Sequence, residues 1–117
     1  MNKLFVSEEL KKVHIVDEYY IEIPERLSVE VIDKINNAYS SASNGEITQI
    51  KATVIVLLAI INSWNFGKEL TEENLMKLQF KVLDLIFDKI AENNEDLKHL
   101  IDKSKDLIDK KKEDTAS

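Results

Sequence analysis

The sequence has no cysteine, which excludes disulfide bonds, thiolate metal ligands and cysteine nucleophiles. It has only two glycines, so a glycine-rich phosphate-binding loop is excluded as well. The two histidines, His14 and His99, lie on different predicted elements and do not have the spacing of metal ligands. No nucleophile-elbow or zinc-protease motif occurs. We therefore predict that the protein is not an enzyme and uses no cofactor, metal or small-molecule substrate.

Long apolar runs are also lacking. The longest, Val54–Ile61, is far shorter than the roughly 20 residues that a membrane-spanning helix needs. The N-terminus has no basic segment followed by an apolar run, the pattern of a signal peptide. Because a chain without cysteine suits a reducing compartment, we expect a cytoplasmic protein without membrane contact.

Negative charge is in excess, with 22 acidic residues against 16 lysines and arginines and a net charge of −6. The acidic residues are spread along the chain, and a diffuse negative potential repels phosphate backbones. The only basic run, Lys110–Lys112, is explained by lysines that complement the dipole at a helix end. We therefore expect protein partners and no nucleic acid.

An alternating pattern over residues 12–23 predicts a β-hairpin that turns at Asp17 and Glu18. Such a hairpin is barely stable alone, so it must pack on helices or gain a strand from Leu4–Val6. Tyr19 and Tyr20 are adjacent, so one ring faces the far side of the sheet. There it covers a helix or meets a partner, and Tyr20 is a candidate partner-binding residue.

The rest of the chain predicts four helices around one core. The fold is therefore mainly α (α+β), with the hairpin and helices in one domain over residues 1–112 and a disordered tail at 113–117. The first helix begins at Ser28, a good N-cap. The second runs from about Thr48 to Trp64. Its apolar part leaves no face for water, which predicts a central helix covered by the others.

The third helix begins at Thr71, followed by acidic residues that suit a helix N-terminus. Its two apolar stripes predict either a helix covered on two sides or a break near Gln79. The fourth helix starts near Asn94 and carries a narrow apolar stripe that we call the C-terminal stripe. Its members are Leu97, Leu100, Ile101, Leu107 and Ile108. A narrow stripe is typical of a packing seam, so we predict that it binds a partner helix or a second copy.

Trp64, the only tryptophan, has two interpretations. It packs in the core at the end of the apolar helix, or it is an exposed anchor of the kind enriched at binding hot spots. Its position after a buried helix favours the core.

Two short motifs resemble a known family. Ile61–Phe66 reads INSWNF, and Leu70–Leu75 reads LTEENL with Leu78 following. They resemble the small tail assembly chaperones of long-tailed bacteriophages and prophages. The similarity extends over roughly residues 12–92, including the YYIEIPERLS segment at Tyr19–Ser28. The motif residues are Trp64, Asn65, Phe66, Thr71, Asn74 and Leu75.

The resemblance implies a chaperone that covers the aggregation-prone tape measure protein and helps to recruit tail tube protein during tail assembly. It implies action in the cytoplasm of the bacterial host, absence from the finished virion, and a second, longer product made by ribosomal frameshifting. The alternative is a small acidic adaptor or regulatory protein, similar to an antitoxin or immunity protein. Gene neighbourhood distinguishes the two.

Overall fold

The computed structural model of the chain describes Leu4 and residues 9–100. These residues form an α+β fold with a three-stranded antiparallel sheet and five helices, which confirms the predicted fold class. The elements are β1 (Leu10–Val16), β2 (Tyr19–Pro24), α1 (Val29–Ser43), α2 (Gln49–Ile60), β3 (Ser63–Trp64), α3 (Glu72–Met76) and α4 (Phe80–Asn93). Residues 95–100 are helical and are called α5.

The predicted hairpin is present as β1 and β2, which pair antiparallel and turn through Asp17 and Glu18. Asp17 has a φ of 51°, in the left-handed region that aspartate tolerates better than most residues. Alternation buries one side chain in two along each strand, namely Val13, Ile15, Ile21 and Ile23. Pro24 is the last residue of β2, as expected for a residue without an amide hydrogen.

Helices α1 and α2 begin where hydroxyl side chains cap them. Ser28 accepts a hydrogen bond from the Val31 amide, and Thr48 accepts one from the Lys51 amide. Gly45 follows α1 with a φ of 78°, a conformation that suits glycine just past a helix end. The two helices pack against each other.

The second helix is shorter than predicted, because α2 ends at Ile60 and Ser63–Trp64 form β3 instead. The chain leaves the helix there to hydrogen-bond with β2, which no local pattern signals. The predicted all-round cover of the apolar part of this helix, Val54–Ile61, is not confirmed, because Ile55 and Leu58 are only partly buried.

The predicted third helix breaks, which was one of the two alternatives. It divides into α3 and α4 at Lys77–Gln79, so the described residues contain five helices rather than four. Thr71 is the N-cap of α3, as predicted. The two parts have different neighbours: α3 packs on α2, and α4 packs on β1.

The buried apolar side chains of the described residues form one cluster, to which both strands of the hairpin and all five helices contribute. The bounds of a single domain at 1–112 stay a prediction, since residues 101–112 lie outside the described part. Within that described part, no helix combines the length and apolar character needed to cross a membrane.

Candidate functional site

Asn65, in the first motif, ties the segment after α2 to the start of β2. Its Oδ1 accepts a hydrogen bond of 2.7 Å from the Tyr20 amide, and its Nδ2 donates to the Glu18 carbonyl at 2.9 Å. Its own amide donates to the Tyr20 carbonyl at 3.3 Å. The side chain thus continues the hydrogen bonding of β3 to β2 by one residue.

Trp64 and Phe66 flank Asn65 and stack on each other with ring centroids 4.5 Å apart. Tyr19 meets Phe66 edge-on at 5.8 Å, and the Trp64 indole N–H donates to the Lys68 carbonyl. Both Trp64 and Phe66 are partly buried against the core. The structure therefore places Trp64 at the border of the core, with its polar atom hydrogen-bonded within the chain.

The second motif builds the start of α3. Thr71 Oγ1 accepts a 3.1 Å hydrogen bond from the Asn74 amide, and Asn74 Nδ2 donates back to the Glu69 carbonyl at 2.7 Å. Leu75 is buried in the core. Thr71, Asn74 and Leu75 thus have structural roles, and the ion pair of Lys51 with Glu72 links this turn to α2.

Replacing Asn65 by alanine is expected to lower the free energy of unfolding by about 1 kcal/mol, because two hydrogen bonds to backbone groups are lost at a solvent-exposed site. Urea denaturation measures this. Asn62→Ala is the matched control, since the Asn62 side chain is exposed and makes no hydrogen bond in the described structure. An equal loss in both variants would show that the Asn65 side chain adds nothing specific.

An apolar groove lies where α1, α2 and the start of α4 meet. Its volume is about 330 Å³, and we call it the Phe80 groove. It is lined by Tyr39, Gln49, Ile50, Thr53, Phe80, Leu83, Asp84 and Phe87. Two of its apolar side chains are open to solvent, Phe80 at 67% and Ile50 at 46%. A large aromatic side chain exposed beside an apolar groove is typical of a binding surface.

The Phe80 groove carries a single negative charge in its lining. Asp84 is the only charged side chain in its lining. Tyr39 also lines the groove, and burial raises the pKa of its phenol. The groove therefore offers apolar surface with one negative charge at the side, which suits an apolar segment carrying a basic residue.

A group of hydrogen bonds from Asn94 and Asp96 to the segment before α1 holds the start of α5, and we call this group the Asn94 junction. Asn94 is almost fully buried. Its Oδ1 accepts from the Leu97 amide at 3.0 Å, and its Nδ2 donates to the Pro24 carbonyl at 3.1 Å. Asp96 accepts from the Leu27 amide at 2.9 Å and pairs with Arg26 at 3.1 Å. The segment before α1 is thus bound to the segment after α4.

The residues of the C-terminal stripe fall into different environments. Leu97 is completely buried in the core, so a partner could contact it only if α5 separated from the rest. Leu100 is partly buried against the core. Ile101, Leu107 and Ile108 lie outside the described residues.

Tyr20, the other predicted partner-binding residue, lies on the outer face of the sheet and is partly buried. The Lys12 ammonium lies 4.2 Å from its ring centroid, and the His14 ring lies 6.1 Å from it. These neighbours cover part of the ring. Among the described residues, no three histidine or carboxylate side chains are grouped so that they could hold a metal ion.

Neither the Phe80 groove nor the Asn94 junction is predicted by the sequence. Phe80 lies inside the segment that the sequence predicts as the third helix, and only the break of that helix places it at the start of α4. Asn94 was recognised as a helix boundary, but its long-range partners have no sequence signal. Comparisons with protein-family models, curated proteins and solved structures returned no match.

Proposed function

We propose that the protein is a tail assembly chaperone of a long-tailed phage or prophage, which binds tape measure and tail tube proteins during tail morphogenesis. The proposal is supported by the INSWNF and LTEENL motifs and by the Phe80 groove. In this role the protein acts in the cytoplasm of the bacterial host and is not retained in the virion.

The observation that carries the proposal is the uncovered apolar surface of the groove. Phe80 and Ile50 stay exposed at the edge of a core that buries most other large apolar side chains. An amphipathic helix laid into such a groove would bury both. The family that the chain resembles binds tape measure proteins, which are long and helical. A tape measure protein can therefore supply such a helix.

The first test is genetic context combined with co-expression. A major tail protein gene upstream and a very long coiled-coil gene downstream are expected, and the downstream product should stay soluble only when this protein is co-expressed. A toxin or nuclease gene beside it, with no soluble complex, would favour the adaptor or regulatory alternative.

Phe80→Asp is expected to reduce the co-purified tape measure protein by tenfold or more, because an aromatic anchor at a hot spot contributes at least about 2 kcal/mol. The fold should be retained, since Phe80 is exposed and an acidic residue suits the first turn of a helix. Quantitative co-purification followed by a measured Kd checks this.

Val29→Asp is the matched control. Val29 is also the first residue of a helix and is 86% exposed, but it does not line the Phe80 groove. It should leave partner capture unchanged. Equal loss in both variants, or no loss in either, would contradict the assignment of the groove as the binding surface.

A further inference from the structure

Strand β1 is an edge strand of the described sheet, in which the strand order is β1-β2-β3. It has seven residues, Leu10–Val16, whereas the strand at the other edge, β3, has two. An edge strand has a row of backbone N–H and C=O groups directed away from its neighbour, and a strand of another chain can pair with that row. We call this side of β1 the β1 edge.

The hydrogen bonds of β2 show which backbone groups of β1 belong to that row. In an antiparallel pair, the N–H and C=O groups of successive residues point alternately to the two sides of a strand. The backbone groups of Tyr20 and Glu22 form hydrogen bonds on the β3 side of β2. The residues opposite them on β1 are His14 and Lys12, in that order. The backbone groups of His14 and Lys12 therefore point to the β1 edge, and those of Val13 point to β2.

His14 and Lys12 also carry exposed basic side chains on the outer face of the sheet. β1 contains two lysines and a histidine and no acidic residue, in a chain whose net charge is −6. The Lys12 ammonium lies 4.2 Å from the Tyr20 ring centroid, and it forms no ion pair within the described residues. Glu22 is the neighbour of Lys12 on β2, so the other side of Lys12 is open to a carboxylate of an added strand.

A second copy of β1 does not suit the β1 edge. In an antiparallel pair of two β1 strands centred on Val13, each Lys12 would lie opposite His14 of the other chain. Such a pair places basic groups opposite each other and brings no carboxylate to the seam. Lysine on an edge strand commonly opposes pairing between identical chains. The same lysine favours a strand that carries acidic residues.

The inner side of β1 determines the other face of an added strand. Val13 and Ile15 are buried on this side, and α4 packs on β1. A cavity of about 490 Å³, lined in part by Lys11 and Glu92, leaves space beside the first residues of β1. Since side chains alternate along a strand, a segment that pairs with β1 would direct one row of side chains inwards and the next row outwards. Apolar residues suit the inner row.

We propose that the β1 edge binds an extended segment of another protein as an added strand, with carboxylates of that segment opposite Lys12 and His14 on the outer face. The backbone groups of these two residues supply the main-chain hydrogen bonds, and their side chains select an acidic sequence. This surface is separate from the Phe80 groove, whose lining contains no residue of β1. The two surfaces can therefore be tested independently.

A peptide titration of the isotope-labelled full chain, followed by NMR, tests the proposal. The probe is a peptide of about eight residues, within the usual length of a strand, in which glutamate alternates with valine. It is expected to slow the exchange of the Lys12 and His14 amide protons with water several-fold. The Val13 amide proton, which faces β2, should be unaffected. A control peptide with lysine in place of glutamate should leave all three unchanged.

The variant Lys12→Glu is expected to bind the glutamate peptide about fivefold more weakly and to prefer the lysine peptide, because a cross-strand attraction becomes a repulsion. Lys34→Glu is the matched control: it makes the same change in net charge at an exposed position of α1 and should bind the glutamate peptide normally. Lys12→Gln removes the charge without adding a carboxylate beside Glu22. Its expected loss of about twofold provides the test if Lys12→Glu does not fold.

Several outcomes would overturn the proposal. Equal affinity for the two peptides would show that the β1 edge does not select acidic sequence. Equal affinity for a peptide methylated at its glutamate nitrogens would show that no strand is added, since those nitrogens donate to β1. Protection of the Lys12 and His14 amides that grows with protein concentration in the absence of peptide would assign the edge to a second copy. Absence of binding at millimolar peptide would reject the site, and none of these results bears on tape measure capture.

Discussion

Replacing Asn94 by alanine is expected to lower the free energy of unfolding by about 2–4 kcal/mol, a large effect for one surface-proximal turn. The variant loses the side-chain cap of α5 at Leu97 and leaves the Pro24 carbonyl without its donor. Both unpaired groups stay in a site from which water is excluded, since Asn94 is 1% exposed. Urea denaturation followed by circular dichroism measures the change.

Asn93→Ala is the control for Asn94→Ala. Asn93 is adjacent and partly buried, but its side chain donates only to the Lys89 carbonyl within its own helix. Its replacement is expected to cost less than about 1 kcal/mol, because alanine favours a helix interior. Similar losses in the two variants would show that the Asn94 junction is not a specific contact.

Replacing Leu97 by alanine is expected to cost about 2–5 kcal/mol, the range for a fully buried leucine. The structure encloses Leu97 in the apolar cluster, whereas Leu100 is only partly covered. Leu100→Ala is therefore expected to cost about 1 kcal/mol, and chemical denaturation of both variants separates the two values.

The variants Leu97→Ala and Leu100→Ala also test the partner-binding role predicted for the C-terminal stripe. If Leu97 contacted a partner, Leu97→Ala would leave the free energy of unfolding of the free protein unchanged and weaken partner capture. A large loss of stability instead means that Leu97 anchors α5 and that any partner contact begins after it.

Much of the fold was predictable because its signals are local. Ser28 and Thr71 are predicted as N-caps, and each accepts the expected amide hydrogen bond. Thr48, the predicted start of the second helix, caps it in the same way. The hairpin was predicted from alternation, and its turn occurs at Asp17 as expected. These signals involve residues within a few positions of one another, so they can be read without the tertiary structure.

The strand β3 shows why the rest was not predictable. Its two residues follow an apolar helix, and nothing in their own pattern ends that helix before Trp64. They become a strand because Glu22 and Tyr20, more than 40 positions earlier, offer hydrogen bonds there. Pairing with the distant strand β2 thus overrides the local tendency of these residues to continue the helix.

The candidate site was only partly predictable for the same reason. The resemblance singles out the motif residues Asn65 and Asn74, but it does not predict their hydrogen bonds to the carbonyls of Glu18 and Glu69. Phe80 lies within the segment that the sequence predicts as the third helix. Its exposure follows from the break before α4, which was one of two open alternatives.

The sequence by itself determined the composition and the local structure. It excluded a thiol and a glycine-rich loop, showed an excess of acidic residues, and predicted the hairpin and the helix starts. Only the tertiary structure decided that Leu97 is core, that Asn94 joins two distant segments, and that Phe80 opens a groove. Burial depends on which surfaces meet after the chain turns, and those turns are set by contacts between residues far apart in the sequence.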